Sequence, residues 1–109
     1  MIHKPHGWVI LKFTSKEKVY FKIFASWRGG YLDGDSWRLS SGSRIPPEIS
    51  ECGNYWIWLQ ESGSTYQLPF LGEGGTSVYT ENVLNDILRQ EKRSGINIEK
   101  MNIREINKY

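Results

Sequence analysis

Catalysis or metal binding in so short a chain would need nucleophiles, bases or ligands at spacings that let them converge. The candidates are few. His3 and His6 stand three residues apart, a spacing found among metal ligands, and Cys52 is the single thiol. Zinc requires three or four converging donors on a rigid frame, and two histidines near a terminus with one distant cysteine do not supply it. Asp33-Gly34-Asp35-Ser36 superficially resembles a calcium loop but lacks the completing glutamate in a helical context, so it reads as a turn. Gly72-Glu73-Gly74-Gly75 precedes a helical pattern without the lysine and hydroxyl residue of a phosphate-binding loop, and reads as a connector. Neither Ser41-Gly42-Ser43 nor Ser62-Gly63-Ser64 has the strand-to-helix setting of a serine nucleophile. The sequence points to no catalytic set, no metal and no cofactor. It reads as a protein that is not an enzyme.

Recognition chemistry is better represented. Trp27, Arg28, Tyr31, Trp37 and Arg38 surround a glycine-rich reversal, and tryptophan, tyrosine and arginine are the usual anchors of protein interfaces. A second group, Trp8, Tyr20, Phe24, Trp56 and Trp58 interleaved with Lys12 and Lys22, has the composition of a sheet face that stacks unpaired bases with lysines at the phosphates. The competing reading of that second group is core under a helix.

These residues need strands to hold them. Trp8 to Phe13 is β-branched and aromatic, and the polar Thr14–Lys18 after it reads as a hairpin loop of about five residues. Val19 to Trp27 alternates clearly, with apolar residues at every odd position. Antiparallel pairing across that loop groups Tyr20 and Phe24 with Trp8 and Ile10 on one apolar patch, which then needs a cover. Ser36 to Ser40 reads as a third strand, and the proline-stiffened Arg44–Ile49 as an extended edge or loop. Tyr55 to Gln60 is a fourth strand, apolar on both faces, and turns through Glu61–Ser64 into Thr65–Leu68. Thr80 is placed to cap a helix running to about Arg93, stopped by Gly95, with Val83, Leu84, Ile87 and Leu88 on the face that covers the patch. The first six residues read as flexible. Residues 96–109 begin at strand period and end nearer helix period, consistent with a short strand at Ile96–Ile98 and a short helix or irregular segment after it.

Size and charge limit the rest. A chain of 109 residues fits one domain with one modest core, and its 39% hydrophobic and 14% aromatic content is that of a globular protein. The net charge of +2 is spread evenly, 8 basic against 7 acidic residues up to Tyr79 and 6 against 5 after it, so the basic stripe of a phosphate-neutralising protein is missing. A lone cysteine suits a reducing compartment, and no apolar run approaches a signal peptide or membrane span, which reads as soluble and cytoplasmic. The expectation is an α+β fold: a curved antiparallel sheet of about five strands, a roll or half-open barrel, packed against a C-terminal helix. The expected function is a small binding module docking another protein, with single-stranded nucleic-acid binding as the alternative and a small hydrolase as a third reading.

Overall fold

Among the described residues, eight strands in two sheets, one α-helix and two 3-10 turns are arranged around a central strand that is buried on both faces. The computed structural model describes residues 1–16, 18–29 and 34–108, apart from the side chains of 91–94, 107 and 108. In chain order the strands are β1 (Ile2–His3), β2 (Gly7–Thr14), β3 (Val19–Trp27), β4 (Ser36–Leu39), β5 (Glu48–Ile49), β6 (Tyr55–Leu59), β7 (Thr65–Pro69) and β8 (Asn97–Met101), with helix α1 (Val78–Ser94) between β7 and β8. One sheet has the order β4-β3-β2-β8 and the other β1-β7-β6-β5. The fold is α+β, as the sequence suggests. The strands form two open four-stranded sheets, however, and not the single rolled sheet or half-open barrel that five strands implied.

The β4-β3-β2-β8 sheet is the middle layer. Trp8, Ile10, Phe21, Ile23 and Ala25 on one face meet Trp56, Trp58, Tyr66 and Leu68 of the second sheet. Val9, Leu11, Phe13 and Phe24 on the other face meet Leu84, with Val83, Ile87 and Leu88 of α1 packed against the same cluster. A middle sheet covered on both sides must be apolar on both sides, which is why β2 reads Trp-Val-Ile-Leu with no polar alternation.

The faces differ from the sequence expectation, and the cause is one residue of loop. Thr14 belongs to β2 and pairs with Val19, leaving four loop residues where about five were expected, and Ser15 N–H donates to Lys18 O at 2.9 Å to close the turn. Removing one residue from a hairpin loop reverses which side chains share a face. Trp8 therefore lies opposite Ala25 and Ile10 opposite Ile23, while Tyr20 and Phe24 lie on the helix side with Phe13 and Val9. The helix does cover an apolar face of the sheet, but a differently composed one.

Both terminal segments and the start of the helix are more ordered than their composition implies. β1 pairs parallel with β7, Thr65 N–H donates to Met1 O at 3.0 Å and His6 N–H to Ser26 O at 3.0 Å, so residues 1–6 are not a free arm. The tail is strand and then helix-like: β8 pairs antiparallel with β2 from Ile10↔Met101 to Thr14↔Asn97, and the 3-10 segment Ile103–Lys108 places Ile103 and Ile106 in the core between the sheets. Helix α1 begins earlier than Thr80. Ser77 is its cap, Ser77 Oγ accepting from Thr80 N–H at 3.2 Å while Thr80 Oγ1 accepts from Ser77 N–H at 2.7 Å, and Gly95 ends it in the left-handed conformation at φ 72°.

The two Ser-Gly-Ser turns meet. Ser62 N–H donates to Ser41 Oγ at 3.0 Å, Glu61 N–H to Gly42 O at 2.9 Å, and Gly42 N–H to Oε1 of the buried Gln60 at 3.2 Å. Their similarity is shared turn chemistry that joins one end of the two sheets. Gln60→Ala removes the side-chain acceptor of the buried Gly42 N–H, and urea melts should show a loss of about 1–3 kcal/mol.

Candidate binding cleft

A cleft of about 750 Å³ opens where four segments distant in sequence come together: Lys4–Gly7 before and at the start of β2, Ser26–Arg28 at the end of β3, the Tyr55 and Pro69 ends of β6 and β7, and the loop leading to Ser77. Each segment is held in place by bonds that can be named. Trp27 Nε1–H donates to Lys4 O at 3.0 Å, and Arg28 N–H donates to His6 Nδ1 at 2.8 Å, which straps the link between β1 and β2 across the end of β3. The glycine-rich loop is not a loose connector. Glu73 bridges to Trp8 in strand fashion, Gly74 N–H donates to Trp8 O at 2.7 Å, and Glu73 Oε2 accepts from Ile103 N–H at 2.9 Å.

Charge in the cleft is uneven. Asp35 lines it, but its carboxyl is engaged: the Ser77 hydroxyl, then Gly29 N–H at 3.2 Å and then the Arg28 charge, hold it below the usual carboxylate range against an opposing desolvation effect. Lys4 and Arg28 also line the cleft, and among the described residues neither side chain is in an ion pair. Apolar surface lies beside them in Trp27, Tyr55, Pro69 and the fully exposed Leu71.

His6, Asp35 and Ser77 also line this cleft together, although the sequence offered no reason to associate them. Their bonding differs from that of a nucleophile relay. Ser77 Oγ serves the helix cap and Asp35, while His6 accepts at Nδ1 from Arg28 N–H, which puts the neutral ring's proton on Nε2. A ring so held can donate from Nε2 but has no lone pair there to take a proton from a serine. The arrangement as it stands supports hydrogen bonding to a ligand.

The expected interface residues are only partly gathered. Trp27 and Arg28 stand at the cleft. Tyr31 lies outside the described residues. Trp37 and Arg38 are split by the pleat of β4: Trp37 is on the helix side, stacked on Phe24 at 5.6 Å, and Arg38 is on the opposite side, close enough for its charge to act on His3 and Tyr66. The His3 ring lies 4.7 Å from that of Tyr66 at a tilt of 36°, and burial, then Arg38, then the chain N-terminus push its pKa down.

The aromatic set proposed for nucleic acid does not form one face. Trp8, Trp56 and Trp58 are enclosed between the two sheets and Phe24 is enclosed under the helix, Trp8, Trp58 and Phe24 having no exposed surface. Lys12 in β2 and Lys22 in β3 point to opposite faces by their register, and Lys22 Nζ sits 5.5 Å from the Phe13 ring and 5.9 Å from the Tyr20 ring. Rings whose surfaces are consumed in packing have none left for a base; Trp8, Trp56, Trp58 and Phe24 are core, as the competing reading expected, but divided between two clusters and not gathered under the helix.

Sequence reasoning missed Lys4, His6, Asp35, Tyr55, Leu71 and Ser77 as neighbours. The available signal was Gly7 together with Gly72 and Gly75, since glycines outside the left-handed region mark close backbone approach, but the partner of that approach was not legible. Among the described residues no helix is long and apolar enough to cross a membrane. Compared with protein-family models, with curated proteins and with solved structures, the chain has no match.

Proposed function

We propose that the protein is a non-enzymatic binding module that docks a segment of another protein into this cleft. The observation that carries the reading is the placement of Trp27 and Arg28, the two anchor-type residues, at the wall of a cleft of about 750 Å³, with apolar Tyr55, Pro69 and Leu71 beside them. Concave sites with a few oriented polar groups among apolar ones are where ligands bind. The enclosure of Trp8, Phe24 and Trp58 weighs against nucleic-acid stacking. A reducing, cytoplasmic setting fits an exposed Cys52 with no partner cysteine in the chain.

Arg28→Ala and Tyr55→Ala are the variants that test it. Arg28 uses its backbone N–H for His6, so truncating the side chain leaves that strap in place. The tagged wild-type chain should retain a protein from its native lysate after nuclease treatment, and both variants should lose it with a thermal midpoint close to wild type. Capture that vanishes with nuclease, or that survives both substitutions, refutes the reading.

A further inference from the structure

Resting on that reading of the cleft, we propose that the docked segment is an acidic peptide: a carboxylate side chain set against Arg28 and Lys4, followed or preceded by an apolar residue set against Tyr55, Pro69 and Leu71. Charge complementarity carries the inference. Of the charged groups lining the cleft among the described residues, Asp35 is the one negative charge, and it already accepts from Gly29 N–H at Oδ1 and is lowered in pKa by the Ser77 hydroxyl. Arg28 and Lys4 remain without an ion-pair partner among the described residues, and both line the same cleft. His6 adds a donor, since its Nδ1 is occupied by Arg28 N–H and its proton sits on Nε2. A carboxylate entering here meets three donors and one carboxylate that is already satisfied.

The apolar half of the site sets the second requirement. Leu71 is fully exposed and Tyr55 is partly exposed. Both lie at the cleft beside Pro69, whose carbonyl already accepts from Trp8 Nε1–H at 2.7 Å. Exposed apolar surface next to unpaired cations selects a segment that carries both kinds of group. A free carboxylate without the apolar residue would leave the Tyr55–Leu71 side wet, and an apolar peptide without charge would leave Arg28 desolvated and unpaired. A basic segment would face Lys4 and Arg28 with like charge.

A phage-displayed library of random linear peptides, panned against the full chain at low salt, tests the class of ligand. The expected result is enrichment of sequences with aspartate or glutamate next to a large apolar residue. Binding of such a synthetic peptide should fall by roughly tenfold or more in Arg28→Glu, since a charge-assisted hydrogen bond is replaced by repulsion, and should weaken as salt rises to physiological strength. The Arg28→Glu chain, panned in turn, should enrich peptides bearing lysine or arginine, and Leu71→Ser should reduce the apolar preference while keeping the acidic one. Enrichment of neutral or basic sequences whose binding is lost in Arg28→Ala overturns the acidic assignment and leaves the cleft as the docking site. No enrichment, or peptides whose binding is indifferent to Arg28→Glu, Arg28→Ala and Leu71→Ser alike, overturns both.

Discussion

Trp8→Ala should remove about 3–5 kcal/mol of folding free energy, a large share of what a domain of this size has to lose. Trp8 has no exposed surface, and its indole fills the space between the two sheets where Ile10, Trp58 and Leu68 also pack. Its Nε1–H donates to Pro69 O at 2.7 Å, a bond from the middle sheet to the last residue of β7. Truncation leaves a cavity the size of an indole in a layer held on both sides, and it leaves the prolyl carbonyl without its donor. Trp8→Phe separates these contributions. It keeps most of the volume and loses the hydrogen bond, so its cost should be about 1–3 kcal/mol. Urea titrations followed by circular dichroism give both values. A Trp8→Ala loss below about 1 kcal/mol would mean that the sheets are not packed through this ring.

The size of that effect follows from residues that the sequence made conspicuous without saying which way they faced. Strand β3, the β6–β7 hairpin and helix α1 were legible because their periodicities are local: alternation at Val19–Trp27, an apolar run ended by a Ser-Gly-Ser turn, and four apolar residues on one face of a helix. The pairing of Trp8 with Ala25 in place of Phe24 was not, because it depends on whether Thr14 is the last residue of a strand or the first of a loop. Threonine is at home in both. That ambiguity reverses a whole face, which is why the supposed base-stacking set mixed residues from two separate cores. β1 escaped notice for a different reason. Two residues pairing parallel with Thr65 and Tyr66 leave no periodic signature, and the contact spans more than sixty positions. The tail combined strand and helix periods because it is a strand that pairs with β2 and then a 3-10 segment that fills the core.

The cleft shows the same division. Trp27 and Arg28 were identifiable as anchors from residue type, but the walls opposite them are brought in by bonds between segments, such as Arg28 N–H to His6 and Trp27 Nε1–H to Lys4 O. Nothing local in Lys4-Pro5-His6-Gly7 distinguishes a strap from a frayed end. The turn expected at Asp33–Ser36 lies partly outside the described residues; within them, the Asp35 carboxylate accepts from Gly29 N–H after β3 and is influenced by the Ser77 hydroxyl at the start of α1. One residue thereby links Gly29, just past β3, to the start of the helix at the cleft.

Gly7→Ala should damage fold and cleft together, and the coupling is what makes it informative. Gly7 opens β2 opposite Ser26, and Ser26 Oγ lies 3.3 Å from Gly7 O and 3.4 Å from Gly75 O, within donor range of both. A Cβ on Gly7 would strike the Gly75 carbonyl, coming within 2.8 Å of its carbon, and this is backbone that cannot rotate aside. Gly72 is as tightly placed, since a Cβ there would come within 2.6 Å of His6 O. Glycine is thus required at Gly7 for lack of room and not for its backbone angle, as it is not among the positive-φ residues. To admit one methyl group the loop from Gly72 to Ser77 must lift from β2, taking with it the Gly74 N–H bond to Trp8 O and the Ser77 cap of α1. Overpacking of this kind costs about 1–3 kcal/mol, which for a chain of this length lowers the thermal midpoint by several degrees. The same displacement moves Ser77 from Asp35 and opens the wall facing Arg28, so binding of an acidic peptide should weaken even at temperatures where the variant is fully folded. Calorimetric titration of folded Gly7→Ala separates the two effects. A variant that melts early yet binds with wild-type affinity would show that the loop stabilises the fold without forming the cleft, and the docking site would then have to be sought on the Lys4–Arg28 side alone.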